Sequence, residues 1–409
     1  MVSLAEIQAA RERLRGVIVA TPIMPGARLS DDAGGNIVVK AENTQRGGSF
    51  KLRGAYNKLA SLTLEQRQRG VIAASMGNHA QGVALAARML GAPAIIIMPE
   101  EASLTKITAT RRYGAQVTLH GQSFDDATAH ARALSASEGY TLIHAFDDPA
   151  IVAGQGVVGL EILEALPEVG TIVVPIGGGG LIGGIASVVR ASRPNVRVVG
   201  VQAAECPSIH ASLEAGRPVT VPHPRTIADG IAVKRPGDVT LPLIRDLVEA
   251  VVTVEEDEIA DAIFYTLQHL RLLVEGAGAV GVAALLTGKV RPRGDEQVCV
   301  VLSGGNIDAN LLSRVIDQSL ARSGRYLVLR TSVPDRPGNL ARLAEMVARA
   351  GANVVDIHHR RSLWGVPLAD TGLELVLEVR DEPHGQHVVA ALTAAGYAIS
   401  RVGGTEYVE

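Results

Sequence analysis

The feature that most constrains this chain is a recurring short run of β-branched and aliphatic residues. The runs are NIVVKAE at 36–42, GVIAAS at 70–75, PAIIIMP at 93–99, QVTLHG at 116–121, YTLIHAF at 140–146, TIVVPIGG at 171–178, VRVVGVQA at 196–203 and EQVCVVLSGG at 296–305. Most are separated by helix-like stretches such as NHAQGVALAARMLG at 78–91 and DATAHARALSASEG at 126–139. Near-continuous apolar strands alternating with helices predict parallel sheets covered on both faces. The runs suffice for two such sheets. Aromatic residues are only 3% of the chain, so the core has to be built from Ala, Val, Leu and Ile, which suits α/β layers. Ligands in such folds gather at the carboxyl ends of strands. Function is therefore to be sought in the loops that follow these runs.

Past about residue 320 the pattern changes. RYLVLRTSV, DRPGNLARLAEMVARAGA, NVVDIHHRRS, DTGLELVLEVR, PHGQHVVAALTAAGY and ISRV, between 325 and 402, read as strand, helix, strand, strand, helix, strand. That is the ferredoxin-like βαββαβ arrangement. The expected domains are a large one from 1–50 and 151–320, a small one from 51–150 and a separate module at 325–409, with ARSGR at 321–325 as linker. In DIHHRRS, at 356–362, alternation along a strand turns one His and one Arg to solvent.

Bulk properties remove several function classes. The net charge is −3 and the pI is near 6.4, so nothing electrostatic calls for nucleic acid or an acidic membrane. No apolar run approaches the ~20 residues of a spanning helix. The N-terminal MVSLAEIQAARERLRGV is an amphipathic helix pattern without the basic start and apolar centre of a signal peptide. Two cysteines, Cys206 and Cys299, are too few for a disulfide framework and read as buried free thiols of a cytoplasmic protein.

Four loops carry the chemistry. GGSFKLRGA at 47–55 places Phe50 beside Lys51 behind two glycines and a serine, in a segment too rich in glycine for a good helix. ASMGNHAQG at 74–82 follows a strand and opens a helix, so Ser75, Asn78 and His79 fall where unpaired amides and a positive dipole favour a carboxylate. Taken alone, Ser75 or Asn78 reads better as a simple helix cap. PIGGGGLIGG at 175–184 runs four glycines into a helix, a loop able to turn several N–H groups onto a phosphate. Gly178, Gly180 and Gly183 also satisfy G-x-G-x-x-G, and Glu205 lies about 20 residues on, so a dinucleotide-binding dehydrogenase is a rival. Lys289 in GVAALLTGKV lacks nucleotide-loop spacing and reads as the turn after a helix. In VVLSGGNID, at 300–308, Ser303 ends a strand and either meets a ring nitrogen or merely makes a turn.

Together these loops resemble the fold-type II pyridoxal phosphate enzymes, the tryptophan synthase β-like family, and most closely its threonine/serine ammonia-lyases (dehydratases). SFKLRGA resembles the family's lysine motif, SMGNHAQG its substrate and cofactor loop with Met76 as a departure, GGGGLIGG its phosphate loop and SGGNID its pyridine-nitrogen loop. TIADGIAV at 226–233 and EGAGAVGVAALL at 275–286 are similar too. The resemblance covers roughly 1–320. The segment around DRPGNLARLAEM resembles an ACT domain, a small amino-acid-sensing module.

The resemblance implies pyridoxal 5'-phosphate as cofactor and β-elimination of L-threonine to 2-oxobutanoate and ammonia, with L-serine as a second substrate. Lys51 is then the covalent anchor and the base for the α-proton. Phe50 lies near the ring and Asn78 serves its phenolic oxygen. Gly177, Gly178, Gly179, Gly180 and Leu181 hold the phosphate, and Ser303 faces the pyridine nitrogen. Ser75, Asn78 and His79 hold the substrate carboxylate. No metal site is expected, although a monovalent cation on carbonyls is compatible: Glu205 matches one carboxylate of the racemases' metal site, but Ala211 stands where its later Asp belongs. Serine racemisation or serine dehydration on the same scaffold is the nearest alternative, with Ser103 as the racemase's candidate second acid or base. A dehydrogenase and a non-catalytic amino-acid sensor are alternatives of another class. In the ACT-like module an amino-acid effector is expected at the turn holding Asp335, Pro337, Gly338 and Asn339, and a homo-oligomer, dimer or tetramer, is expected.

Overall fold

The apolar runs fold as strands because their β-branched side chains suit a pleated surface buried on both sides. The computed structural model describes residues 2–222, 225–360 and 366–402. The chain divides into two units, Met1–Asp308 and Ala309–Glu409. The first unit holds strands β1 (Ile23–Pro25), β2 (Asn36–Lys40), β3 (Val71–Ala74), β4 (Ala94–Met98), β5 (Gln116–Leu119), β6 (Thr141–Leu142), β7 (Val169–Pro175), β8 (Arg197–Ala203), β9 (Ala250–Val254) and β10 (Gln297–Val301). They form a six-stranded sheet in the order β1-β2-β10-β7-β8-β9 and a four-stranded sheet in the order β5-β4-β3-β6. Every pairing is parallel except β1 with β2. The smaller sheet is inserted in the chain between β2 and β7.

Three sequence readings change. β1 and β9 are strands the apolar runs did not mark. YTLIHAF yields only the two residues of β6, because the His144 ring Nδ1 accepts from the amides of Phe146 and Asp147 and turns the chain.

One central helix, Pro149–Ala165, sets the positions of two site-bearing helices. A Cβ on Gly154 would stand 2.6 Å from the Cα of Gly54, inside helix Lys51–Ala60. A Cβ on Gly184, inside helix Gly180–Ser192, would stand 2.5 Å from the Val152 carbonyl oxygen. Only glycine permits these crossings. A buried ion cluster fastens the first of these crossings, between helices Lys51–Ala60 and Pro149–Ala165: the Arg53 guanidinium bridges the carboxylates of Glu42 and Glu161, and the Lys40 ammonium bonds Glu161 and the Thr21 carbonyl. The Thr21 hydroxyl also donates to Glu42.

The second unit begins with helix Ala309–Arg322, which takes in the first two residues of the 321–325 stretch expected as a linker and groups with the C-terminal residues. Strands β11 (Tyr326–Pro334), β12 (Asn353–Arg360), β13 (Asp370–Glu378) and β14 (Ser400–Val402) alternate with helices Asn339–Arg349 and Glu382–Ala394. The sheet is antiparallel, in the order β12-β13-β11-β14, and Leu329, Leu343, Leu375 and Val388 lie in its core. At the turn after β11, Gly338 takes φ 91° and the Asn339 Nδ2 donates to the Pro334 carbonyl at 2.8 Å. His358 and His359 are both exposed, against the expected alternation, because β12 is an edge strand. Arg361 and Ser362 of the same motif lie outside the described residues.

Candidate active site

Main-chain bonds lace the loops beyond β2 and β10. Gly47 and Gly48 take left-handed φ of 79° and 74°. The Gly305 amide donates to the Gly48 carbonyl at 2.9 Å, and the Phe50 amide to the Ser303 carbonyl at 3.2 Å, with Ser49 bridged to Gly304. The Glu275 amide donates to the Gly304 carbonyl at 3.1 Å. Beyond this turn the chain is helical after all: Lys51 is the first residue of helix Lys51–Ala60. The glycine expected to spoil that helix, Gly54, is the one crossed by Gly154.

The Lys51 ammonium donates to the Ala145 carbonyl at 3.2 Å and lies 5.1 Å from the Phe50 ring centroid. Burial lowers its pKa from 10.5 to about 8, against the opposing pull of the Glu275 carboxylate. An amine so tuned is a nucleophile and base near neutral pH.

Helix Asn78–Leu90 starts beside it. The Ser75 hydroxyl oxygen accepts the amides of Gly77 and Ala80, each at 3.2 Å, so it caps this helix start while its proton stays available. The amides of Asn78 and His79 are in the first turn and have no intrahelical acceptor. The His79 ring is buried and its Nε2 meets the Ile143 carbonyl at 3.0 Å. Burial, with the Lys51 and His144 charges, pushes its pKa down to about 3, so the imidazole stays neutral and donates to that carbonyl. Asn78 accepts from the Asn306 Nδ2 at 2.7 Å and donates one Nδ2 hydrogen to Glu275 at 2.5 Å, and its second one has no acceptor among the described residues.

The glycine loop follows β7 and opens helix Gly180–Ser192, with Leu181 buried in the first turn. A Cβ on Gly177 would stand 3.0 Å from the Ile231 Cα, one on Gly178 2.3 Å from the Phe146 ring, and one on Gly179 2.6 Å from the Ile244 Cδ1. Gly179 also takes φ 94°. Only bare backbone fits, and the helix start offers its amides to an anion. Ser303 is buried, its hydroxyl 3.3 Å from the Ala277 carbonyl. A low-pKa lysine, a spare amide donor, an anion cradle and a buried hydroxyl form the donor set that pyridoxal phosphate requires, so the residues fit that group.

A family profile described as pyridoxal-phosphate dependent enzyme matches residues 14–304. The chain belongs to this family. This pyridoxal-phosphate dependent enzyme is 48% identical over 403 residues to a protein of Thermotoga maritima named L-threonine ammonia-lyase, covering 98% of this chain and 100% of that one. Its fold matches the processed form of threonine deaminase isoform 2 from Solanum lycopersicum with a TM-score of 0.73 at 38% identity, over 77% of this chain and 86% of that one. It matches maize serine racemase with a TM-score of 0.74 at 34% identity, over 78% and 98% of the two chains. The dehydrogenase reading of Gly178, Gly180 and Gly183 is thereby overturned, and Glu205 is an exposed acid just past β8.

Two further side chains at this site, Glu275 and Asn306, carry no motif of their own in the sequence. Glu275 is buried, and burial first, then the Asp229 charge, raises its pKa to about 7 against the Asn78 hydrogen bond. A Cβ on Gly304 would stand 2.3 Å from its Oε1. Asn306 ties Asn78 to the Gly47 carbonyl at 2.8 Å. They lie inside the family-like segments EGAGAVGVAALL and SGGNID, whose pattern does not distinguish these two side chains from their neighbours.

Proposed function

We propose that the protein is a threonine ammonia-lyase, converting L-threonine to 2-oxobutanoate and ammonia, and L-serine to pyruvate and ammonia. The observation that carries this reading is the amine of Lys51, lowered toward neutral pH beside a helix start and a glycine cradle, in a chain similar along nearly its whole length to an ammonia-lyase. Pyridoxal phosphate, when bound, supplies an aldehyde to hold the substrate amine and a ring that withdraws electrons from the Cα–H bond.

The protein's own residues do the rest. The Ser75 hydroxyl and the Asn78 and His79 amides bind the substrate carboxylate at the positive end of a helix. His79 contributes its main chain, since its ring is held by Ile143. The second Nδ2 hydrogen of Asn78 serves the phenolic oxygen, and Gly177, Gly178, Gly179, Gly180 and Leu181 offer amides to the phosphate. Ser303 serves the ring nitrogen without the charge of a carboxylate, which suits elimination. Phe50 packs at the ring. Lys51 takes the proton from the substrate Cα. A Cα–Cβ double bond forms as the Cβ–O bond breaks, and the hydroxyl leaves as water with one proton, equal to the one Lys51 received. The released enamine rearranges and takes up water to give the 2-oxo acid and ammonia.

Racemisation calls for a second acid or base. The candidate, Ser103, is exposed and caps helix Leu104–Arg112, its oxygen accepting the Lys106 amide at 3.4 Å. The C-terminal βαββαβ unit is read as an ACT-type module that takes an amino-acid effector at the turn with Asp335, Pro337, Gly338 and Asn339 in a homo-oligomer, and the enzyme as cytoplasmic.

The test is an assay of purified protein, saturated with pyridoxal phosphate, on L-threonine and L-serine, with 2-oxo acid and D-serine measured together. Lys51→Ala is expected to lose the visible band of the bound cofactor and about 10³-fold or more of the activity. D-serine formed as fast as pyruvate refutes the reading, as does a Lys51→Ala variant that keeps its colour and rate.

A further inference from the structure

The glycine loop is held from behind by a side chain with no part in the assignment above. The Thr240 hydroxyl donates to the Gly178 carbonyl at 2.6 Å and accepts the Gly237 amide at 3.2 Å. A hydroxyl has one proton, so these roles are fixed. Thr240 is fully buried and starts helix Thr240–Leu247. It is seated by Asp147, whose carboxylate accepts the amides of Asp238 at 3.0 Å, Val239 at 2.8 Å and Thr240 at 3.3 Å.

The consequence follows from peptide geometry. In a planar trans peptide the C=O and the N–H point in opposite directions. A Gly178 carbonyl drawn to Thr240 therefore turns the Gly179 N–H away from Thr240. Gly179 is free to follow, at φ 94°. Among the described residues no group accepts from that amide. We propose that Thr240 is a positioning residue for phosphate recognition, its hydroxyl setting the Gly178–Gly179 peptide with the N–H toward the anion, and that Asp147 holds Thr240 in place. The proposal rests on the reading that this loop binds the cofactor phosphate.

The test compares binding of pyridoxal phosphate and of pyridoxal, which lacks the phosphate, to cofactor-free protein, followed by visible absorbance. The ratio of the two affinities isolates the phosphate contribution. Thr240→Val keeps the shape and removes the hydroxyl; it is expected to lower the ratio about tenfold while leaving pyridoxal binding unchanged. Thr240→Ala, without the bulk, must give the same fall, and Thr240→Ser, with the hydroxyl, must stay within about twofold of the parent. A Thr240→Val ratio equal to the parent's overturns the proposal, and so does a Thr240→Ser ratio as low as that of Thr240→Val. If Gly179→Ala lowers the ratio while Thr240→Val does not, the loop is the phosphate site and Thr240 has no part in it. If the parent itself shows no preference for the phosphorylated form, the loop reading fails first.

Discussion

Replacing Arg53 by Met removes one member of a buried cluster that is otherwise neutral, two cations against two carboxylates. The guanidinium makes four bonds of 2.6–2.8 Å, two to Glu42 and two to Glu161. Arg53 and Glu42 are both 0% exposed. Burial alone would push the Glu42 carboxyl up; the Arg53 charge and hydrogen bonds, with Lys40 and Thr21, more than reverse this and hold it below its ordinary value. Met fills much of the volume but leaves one carboxylate uncompensated, at a cost of about 3–5 kcal/mol. In a unit of this size that lowers the melting temperature by roughly 5–8 °C. The pH dependence has a definite sign. In the parent, a depressed Glu42 pKa contributes stability that is present above the unfolded-state value and is lost as pH falls through the folded one. In the variant, burial wins and the Glu42 pKa rises, so the variant loses stability as pH rises. The deficit is therefore larger at pH 7 than at pH 5. Thermal melts by circular dichroism at both pH values measure it, and Glu42→Gln added to Arg53→Met should recover part of the loss. A fall under about 3 °C, or the same deficit at both pH values, refutes the reasoning.

Two further outcomes follow from the site. In cofactor-free protein the reaction of Lys51 with an amine-directed reagent, located by peptide mass, should be half-maximal near pH 8 rather than 10.5; Glu275→Gln removes the negative charge that raises this value, so the midpoint should move down, and an upward move contradicts the assignment. Gly154→Ala drives a methyl against the Gly54 Cα and the Arg53 carbonyl, so it should cost about 1–3 kcal/mol and weaken pyridoxal phosphate binding by displacing the helix that Lys51 begins; unchanged melting and binding would show that this crossing can relax.

The sheets were legible where strands are buried on both faces. β3, β4, β7 and β10 read as apolar runs because nothing polar can face a covering helix. β9 escaped notice because it is an edge strand, mostly half-exposed and followed by an acidic helix start, and β1 is only three residues ending at Pro25. Lys51, Asn78 and the four glycines were legible because backbone demands at helix starts and anion loops leave a local signature. Glu275, Asn306 and Thr240 carry no such signature. Their meaning lies in contacts with Asn78 and Gly178, distant in sequence, and Thr240 stands in TLPLIRDL, an ordinary amphipathic pattern. The partner of the His79 ring is equally silent in sequence: Ile143 lies 64 residues on, just past the end of β6, and reaches the ring because β6 pairs with β3.

The pairing of β2 with β10 also bears on how the chain is made. Ile37 finds its parallel neighbour in Val298, so a growing chain carries β2 with an open edge until almost all of the first unit has been synthesised. Glycine turn and serine loop meet only then, when Gly305 reaches Gly48. Assembly of the cofactor site is thus a late event in synthesis, and a ribosome stalled before β10 holds a lysine without its pocket and an apolar strand with one edge open.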